Sequence, residues 1–112
     1  MAPSLVEKYA LILAADPRSR VFVELARALL ERGENDRAVE VCQRGLEHHP
    51  GSIQGHVLWG RGLLAAGDVA GALAQFEAAA GMEPQNPYAV NLGAEALVER
   101  GLHGRARLLL ER

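Results

Sequence analysis

Arg20, Arg27 and Arg61 are the residues of this chain whose type and spacing most suggest recognition chemistry. Arg20 and Arg27 are seven positions apart, which on a helix is two turns and about 10 Å along one face. Arg61 follows Arg27 by 34 positions, and a structural repeat of that period would bring it beside Arg27 on a neighbouring helix. A guanidinium is a planar fork that bonds both oxygens of a carboxylate, so the three suit acidic side chains or a terminal carboxylate. The competing reading makes them solvated surface charges, paired with Glu24 or Glu31 at helical spacing and worth roughly a few tenths of a kcal/mol.

Other chemically capable residues do not assemble into a site. His48 and His49 are adjacent, with His56 soon after, but neighbours on a helix point about 100° apart, and no carboxylate or cysteine completes a ligand set. Contact with the negative end of a helix is the role expected of the first two. Cys42, the only cysteine, falls at an apolar helical position, where a free thiol behaves as a small hydrophobe. The glycines form no phosphate loop, since no strand precedes them and no Gly-Lys-Ser/Thr follows. The expectation is a chain that is not an enzyme and uses no metal or cofactor.

Composition narrows the partner class. With 112 residues, 49% hydrophobic and 23% charged, the chain fits one globular domain that can bury a core unaided. A net charge of -2 and a pI near 6.1 lack the clustered basic excess that nucleic-acid phosphates require. A single cysteine excludes an intrachain disulfide and any metal site of paired cysteines, and it fits a reducing compartment. The opening stretch MAPSLVEKYALILAADP carries Glu7 and Lys8 within its apolar run, has no cationic leader and is too short to span a bilayer. A cytoplasmic protein without membrane contact is therefore expected.

The elements that position the arginines are legible from glycines. Gly33, Gly67 and Gly101 are each 34 residues apart. Laying residues 19–52 over 53–86 without a gap gives identities at Val23/Val57, Arg27/Arg61, Leu29/Leu63, Leu30/Leu64, Gly33/Gly67, Ala38/Ala72 and Pro50/Pro84. A fixed period of this size is the mark of a solenoid. Within each unit the apolar residues recur at helical spacing, as in Phe22, Leu25 and Leu29 or Val39, Cys42 and Leu46, and nothing alternates long enough for a strand. Helices are predicted at 4–15, 19–32, 35–48, 53–66, 69–82, 87–100 and 103–112. The three glycines end the first helix of each pair in a left-handed conformation. Asp68 is the expected N-cap in the second unit, and Asn35 or Asp36 in the first.

These slots resemble the tetratricopeptide repeat (TPR) family. In the first unit they are Phe22, Leu25 with Ala26, Leu29, Gly33, Ala38, Cys42, Gly45 and Pro50. In the second they are His56, Trp59 with Gly60, Leu63, Gly67, Ala72, Phe76, Ala79 and Pro84; Val90, Gly93 with Ala94, Leu97, Gly101, Ala106 and Leu110 continue a third. The resemblance implies an all-α, right-handed solenoid of about seven antiparallel helices. The division it suggests is a single domain over 1–112, with a half-repeat at 4–17, repeats at 19–52 and 53–86, and an incomplete repeat at 87–112. Tyr9 and Pro17 fill the aromatic and closing slots of the half-repeat, whose link to the next helix is one residue short. Cys42 and Gly93 are smaller than the pattern's residues, so those regions are either loose or filled by a neighbour. Gly55, Gly60 and Gly62 make the fourth helix the expected soft point, at about 1 kcal/mol each.

The resemblance also implies a concave groove lined by the first helices, used to bind proteins. The corresponding positions are Arg20, Val23, Arg27, Leu30 and Glu31, then Gln54, Val57, Arg61, Leu64 and Ala65, then Tyr88, Asn91, Glu95, Val98 and Glu99. On this reading the arginines take acidic groups of a partner protein or peptide, while Val23, Val57, Leu30 and Leu64 take apolar anchors. The family's chaperone-tail binders carry a lysine and asparagine clamp, and Val23 and Arg27 in the matching slots argue against that role. At the end of the chain Leu108, Leu109 and Leu110 have no following helix to cover all of them, so either the domain has been cut from a longer protein or this end is a rival contact surface, suited to self-association or docking of a neighbouring domain.

Overall fold

The computed structural model describes residues 2–111, among which the elements are α1 (Leu5–Ala15), α2 (Phe22–Glu31), α3 (Asn35–His48), α4 (Ile53–Ala65), α5 (Val69–Met82), α6 (Pro87–Glu99) and α7 (His103–Leu110), with no strand. Seven helices were expected; α3 and α5 have the expected bounds, and no other helix end differs from the expectation by more than three residues. Arg112 of the seventh expected helix lies outside the described residues.

One hydrogen-bond pattern reverses the chain three times. Gly33, Gly67 and Gly101 have φ of 76°, 92° and 76°, a region open to glycine at little cost. Each glycine N–H donates three residues back, and the next N–H donates five back: Glu34 to Leu29 O at 2.9 Å, Asp68 to Leu63 O at 2.8 Å and Leu102 to Leu97 O at 2.9 Å. This double closure satisfies carbonyls that the helix end would otherwise leave bare.

Helix starts are set by side-chain oxygens. Ser4, Ser52, Asp68 and Asn86 accept from the N–H groups of Glu7, Gly55, Gly71 and Tyr88 at 3.2, 3.0, 2.9 and 3.0 Å. Asp68 is the cap expected. For α3 the expectation fails: Asn35 is already helical and Glu34 holds the cap position without a capping bond. Its carboxylate is instead drawn between Arg32, at 2.8 Å, and Arg37, at 2.9 Å.

The start of α2 is the larger correction. The sequence places it at residue 19, yet the helix begins at Phe22. Asp16 Oδ1 accepts from the Arg18 N–H at 3.1 Å and Ser19 Oγ accepts from the Val21 N–H at 3.2 Å. These local bonds, next to Pro17, hold the short link in turns. Arg20 therefore precedes the helix, and the two-turn spacing to Arg27 along one face does not apply.

Packing runs along the chain in an assembly of 46 × 25 × 19 Å. Helix α1 packs on α2, α2 on α3 and α4, α4 on α3, α5 and α6, and α6 on α5 and α7. Phe22 and Phe76 are fully buried hubs of the core. The small residues admit them: a Cβ on Gly45 would fall on the Phe22 ring, and one on Gly60 on the Phe76 ring. Gly93 likewise leaves no void, since its Cβ would lie 2.9 Å from Leu109 and 3.0 Å from Phe76. Cys42 is fully buried among Phe22, Val23, Ala26 and Leu58. Both departures from the repeat pattern are thus filled by neighbours.

Candidate partner-binding face

Because α2 packs on α4 and α4 on α6, the first helices of the three pairs form one continuous row. Positions 34 apart come side by side on that row: Arg27, Arg61 and Glu95 through its middle, and Gln54 beside Tyr88 at one edge, next to the turn that carries Arg20. All of these side chains are exposed, as is Asn91.

The three arginines carry no ion-pair partner among the described residues. The ion pairs of the described residues are Arg32 with Glu34, Arg37 with Glu34, and Arg44 with Glu40. Neither Arg20 nor Arg27 pairs with Glu24 or Glu31, and Arg61 pairs with none of the described acids. Three guanidiniums thus face solvent with their bidentate edges unused.

The apolar ladder is different from the expectation. Val23, Val57 and Leu64 are 7%, 3% and 5% exposed and belong to the core. Each sits where adjacent first helices meet, so the neighbouring helix covers it before any ligand can. Leu30 is half-buried, and the exposed apolar surface of the row lies on α6, at Tyr88 and Val98.

Three hollows divide the face. Arg20, Val23 and Gln54 border a cavity of about 350 Å³ with Glu24, Ile53 and Glu83. Leu30, Arg61, Leu64, Ala65 and Glu99 border a smaller one of about 100 Å³ with Asn35 and Arg100. Asn91, Glu95, Val98 and Glu99 border a third of about 420 Å³ with Ala94 and Leu110. Arg27 and Tyr88 line none of these, so the arginine triangle is spread over a surface rather than gathered in one pocket. Glu83, Asn35 and Arg100 were not foreseen; they lie at helix ends whose approach to the row depends on how the pairs stack, which no local pattern encodes.

At the end of the chain, Leu108 and Leu110 are exposed while Leu109 is 3% exposed and packs in the core against Gly93. Leu109 accordingly drops out of the expected end surface. Leu110 occupies the slot of Phe76, which is fully buried one repeat earlier. Val98 occupies that of Leu64, at 45% against 5% exposure.

Two of the histidines have structural partners. His49 Nε2–H donates to the Arg18 carbonyl at 2.6 Å and its ring stacks on Phe22 at 5.9 Å, tying α3 to the link before α2. That replaces the expected contact with its own helix end. His56 Nδ1–H donates to Gln75 Oε1 at 2.8 Å. Burial pushes the Cys42 thiol up to about 12, which leaves it protonated and unreactive near neutrality. Among the described residues no helix is long and apolar enough to cross a membrane.

Comparison with known proteins agrees with this architecture. Two tetratricopeptide repeat models match, one over residues 19–61 and the other over 63–112. Such repeats generally form protein–protein interaction modules. No curated protein matches the chain. Among solved structures it is similar to MamA MSR-1 C2, with a TM-score of 0.69 and 20% identity over 95% of this chain. It is also similar to a MamA D159K mutant, with a TM-score of 0.66 and 21% identity over 95% of this chain. In both cases it spans 62% of the other chain's length. A further MamA crystal structure gives 0.54 at 14% identity, covering 99% of this chain and 93% of that one. At such identities the likeness is one of fold.

Proposed function

We propose, on the premise that this chain belongs to the tetratricopeptide repeat family, that its concave face is a non-catalytic adaptor surface for an acidic or amphipathic segment of another protein. The observation that carries this reading is the set of Arg27 and Arg61 on the row and Arg20 in the turn beside it, all exposed and without acidic partners among the described residues. A carboxylate arriving there gains charge-assisted bonds without breaking an existing ion pair. Val23, Val57 and Leu64 serve as the rigid floor under these side chains, with Leu30, Gln54, Tyr88, Asn91 and Glu95 completing the contact surface. A lone buried thiol suits the reducing cytoplasm as the setting.

The test compares immobilised wild-type chain with an Arg27→Glu, Arg61→Glu variant of matched circular dichroism in capture from the native cell lysate. Proteins held only by the wild type support the groove. Equal retention by both removes the arginines from the mechanism.

A second reading, in which the end of the chain docks a neighbour or a second copy, is favoured by Leu108 and Leu110, at 69% and 53% exposure. A monomer at high concentration with α7 fully protected from hydrogen exchange would remove the self-association form of it.

A further inference from the structure

The concave row changes sign along its length. Its middle positions read Arg27, Arg61, Glu95, and the next turn reads Glu31, Ala65, Glu99, so α6 presents acids at both levels while α2 and α4 each present an arginine, α2 with one acid beside it. Glu95 and Glu99 have no ion-pair partner among the described residues, so the acidic end is as open as the basic one. The apolar surface is also unevenly placed. The hollow of about 420 Å³ lies only at the acidic end, floored by Ala94, Val98 and Leu110 and rimmed by Glu95 and Glu99. A uniformly acidic ligand that satisfied Arg27 and Arg61 would bring like charge against this rim.

We infer that the ligand of this face is bipolar: a protein segment with acidic residues over Arg27 and Arg61, followed by basic residues that flank an apolar anchor over Glu95, Glu99 and the adjoining hollow. The inference rests on the groove reading and specifies the partner that groove selects. Adjacent helices stand about 8–10 Å apart, so the ends of the ligand's footprint, over Arg27 on α2 and Glu95 on α6, are separated by roughly 16–20 Å. An extended segment at about 3.3 Å per residue covers that span in five or six residues. Opposite charge blocks at that separation place every ligand charge against its complement, and like-charge contact penalises a ligand without them.

Fluorescence anisotropy with three end-blocked peptides tests this. The segregated probe has three Glu, two Gly and then Lys-Leu-Lys-Leu-Lys; the interspersed probe has the same composition with Glu and Lys alternating; the third is hexaglutamate. The segregated probe is expected to bind wild type at least tenfold more tightly than the interspersed one. An Glu95→Lys, Glu99→Lys variant, with both changes at exposed positions, is expected to lose that preference and to bind hexaglutamate more tightly than wild type does. Equal affinity for the first two probes overturns the inference, and if hexaglutamate binding still depends on Arg27 and Arg61 the groove reading stands without it. Failure of all three probes to bind overturns both.

Discussion

Gly60 lies directly under the ring of Phe76, with no room for a Cβ between the α4 backbone and the aromatic face. Helix propensity alone would make Gly60→Ala stabilising by about 1 kcal/mol. Overpacking at a closed contact costs about 1–3 kcal/mol, so the account predicts net destabilisation. Urea denaturation decides the sign, and a raised midpoint would show that the ring can yield.

A matched pair of substitutions separates backbone strain from packing. Gly33 has open space around its missing side chain but a φ of 76°, whereas Gly81 is open and lies within α5 without positive φ. Gly33→Ala is predicted to destabilise by about 1–2 kcal/mol. Gly81→Ala is predicted to stabilise by about 0.4–1 kcal/mol. Thermal unfolding of both variants checks the contrast, which fails if the two move the melting temperature the same way.

The regular parts of the fold were legible because they rest on periodic local rules. The 34-residue glycine spacing located the chain reversals, and Asp68 announced its helix. The start of α2 was hidden because Asp16 and Ser19 satisfy nearby N–H groups and so compete with helix formation, an outcome that apolar periodicity does not register. The candidate site was legible in its charges and not in its apolar part. Arg27 and Arg61 are exposed as the repeat positions suggested, while Val23, Val57 and Leu64 are covered by neighbouring helices. A residue can stand on the groove-facing arc of its own helix and still be closed over by the next, and only the stacking of pairs decides which.

Cys42 gives stability a pH dependence. Its pKa rises from 9.0 to about 12 on folding because burial penalises the thiolate. Between these values the unfolded chain releases a proton that the folded chain keeps. The contribution is therefore fully present below about pH 9 and is lost progressively as pH rises towards 12. Denaturant unfolding at pH 8 and pH 10.5 should show wild type losing more stability than Cys42→Ala over that interval. Equal losses would place the thiolate in an environment that solvates it.

Salt should act on the ligand rather than the fold. Exposed charges are screened over about 10 Å at 0.1 M ionic strength, so hexaglutamate affinity should fall steeply between 0.05 and 0.5 M sodium chloride. The Arg27→Glu, Arg61→Glu variant should lack that dependence, as isothermal titration at each salt concentration would reveal. A flat response in wild type would contradict an electrostatic role for the row.

The most direct measurement is an amide chemical-shift map of the isotope-labelled chain titrated with hexaglutamate. The account predicts shifts concentrated at Arg20, Arg27, Gln54 and Arg61, with the outward residues of α3, α5 and α7 unmoved. Shifts centred instead on Leu108 and Leu110, or none at saturating peptide, would contradict the concave arginine row as the binding surface.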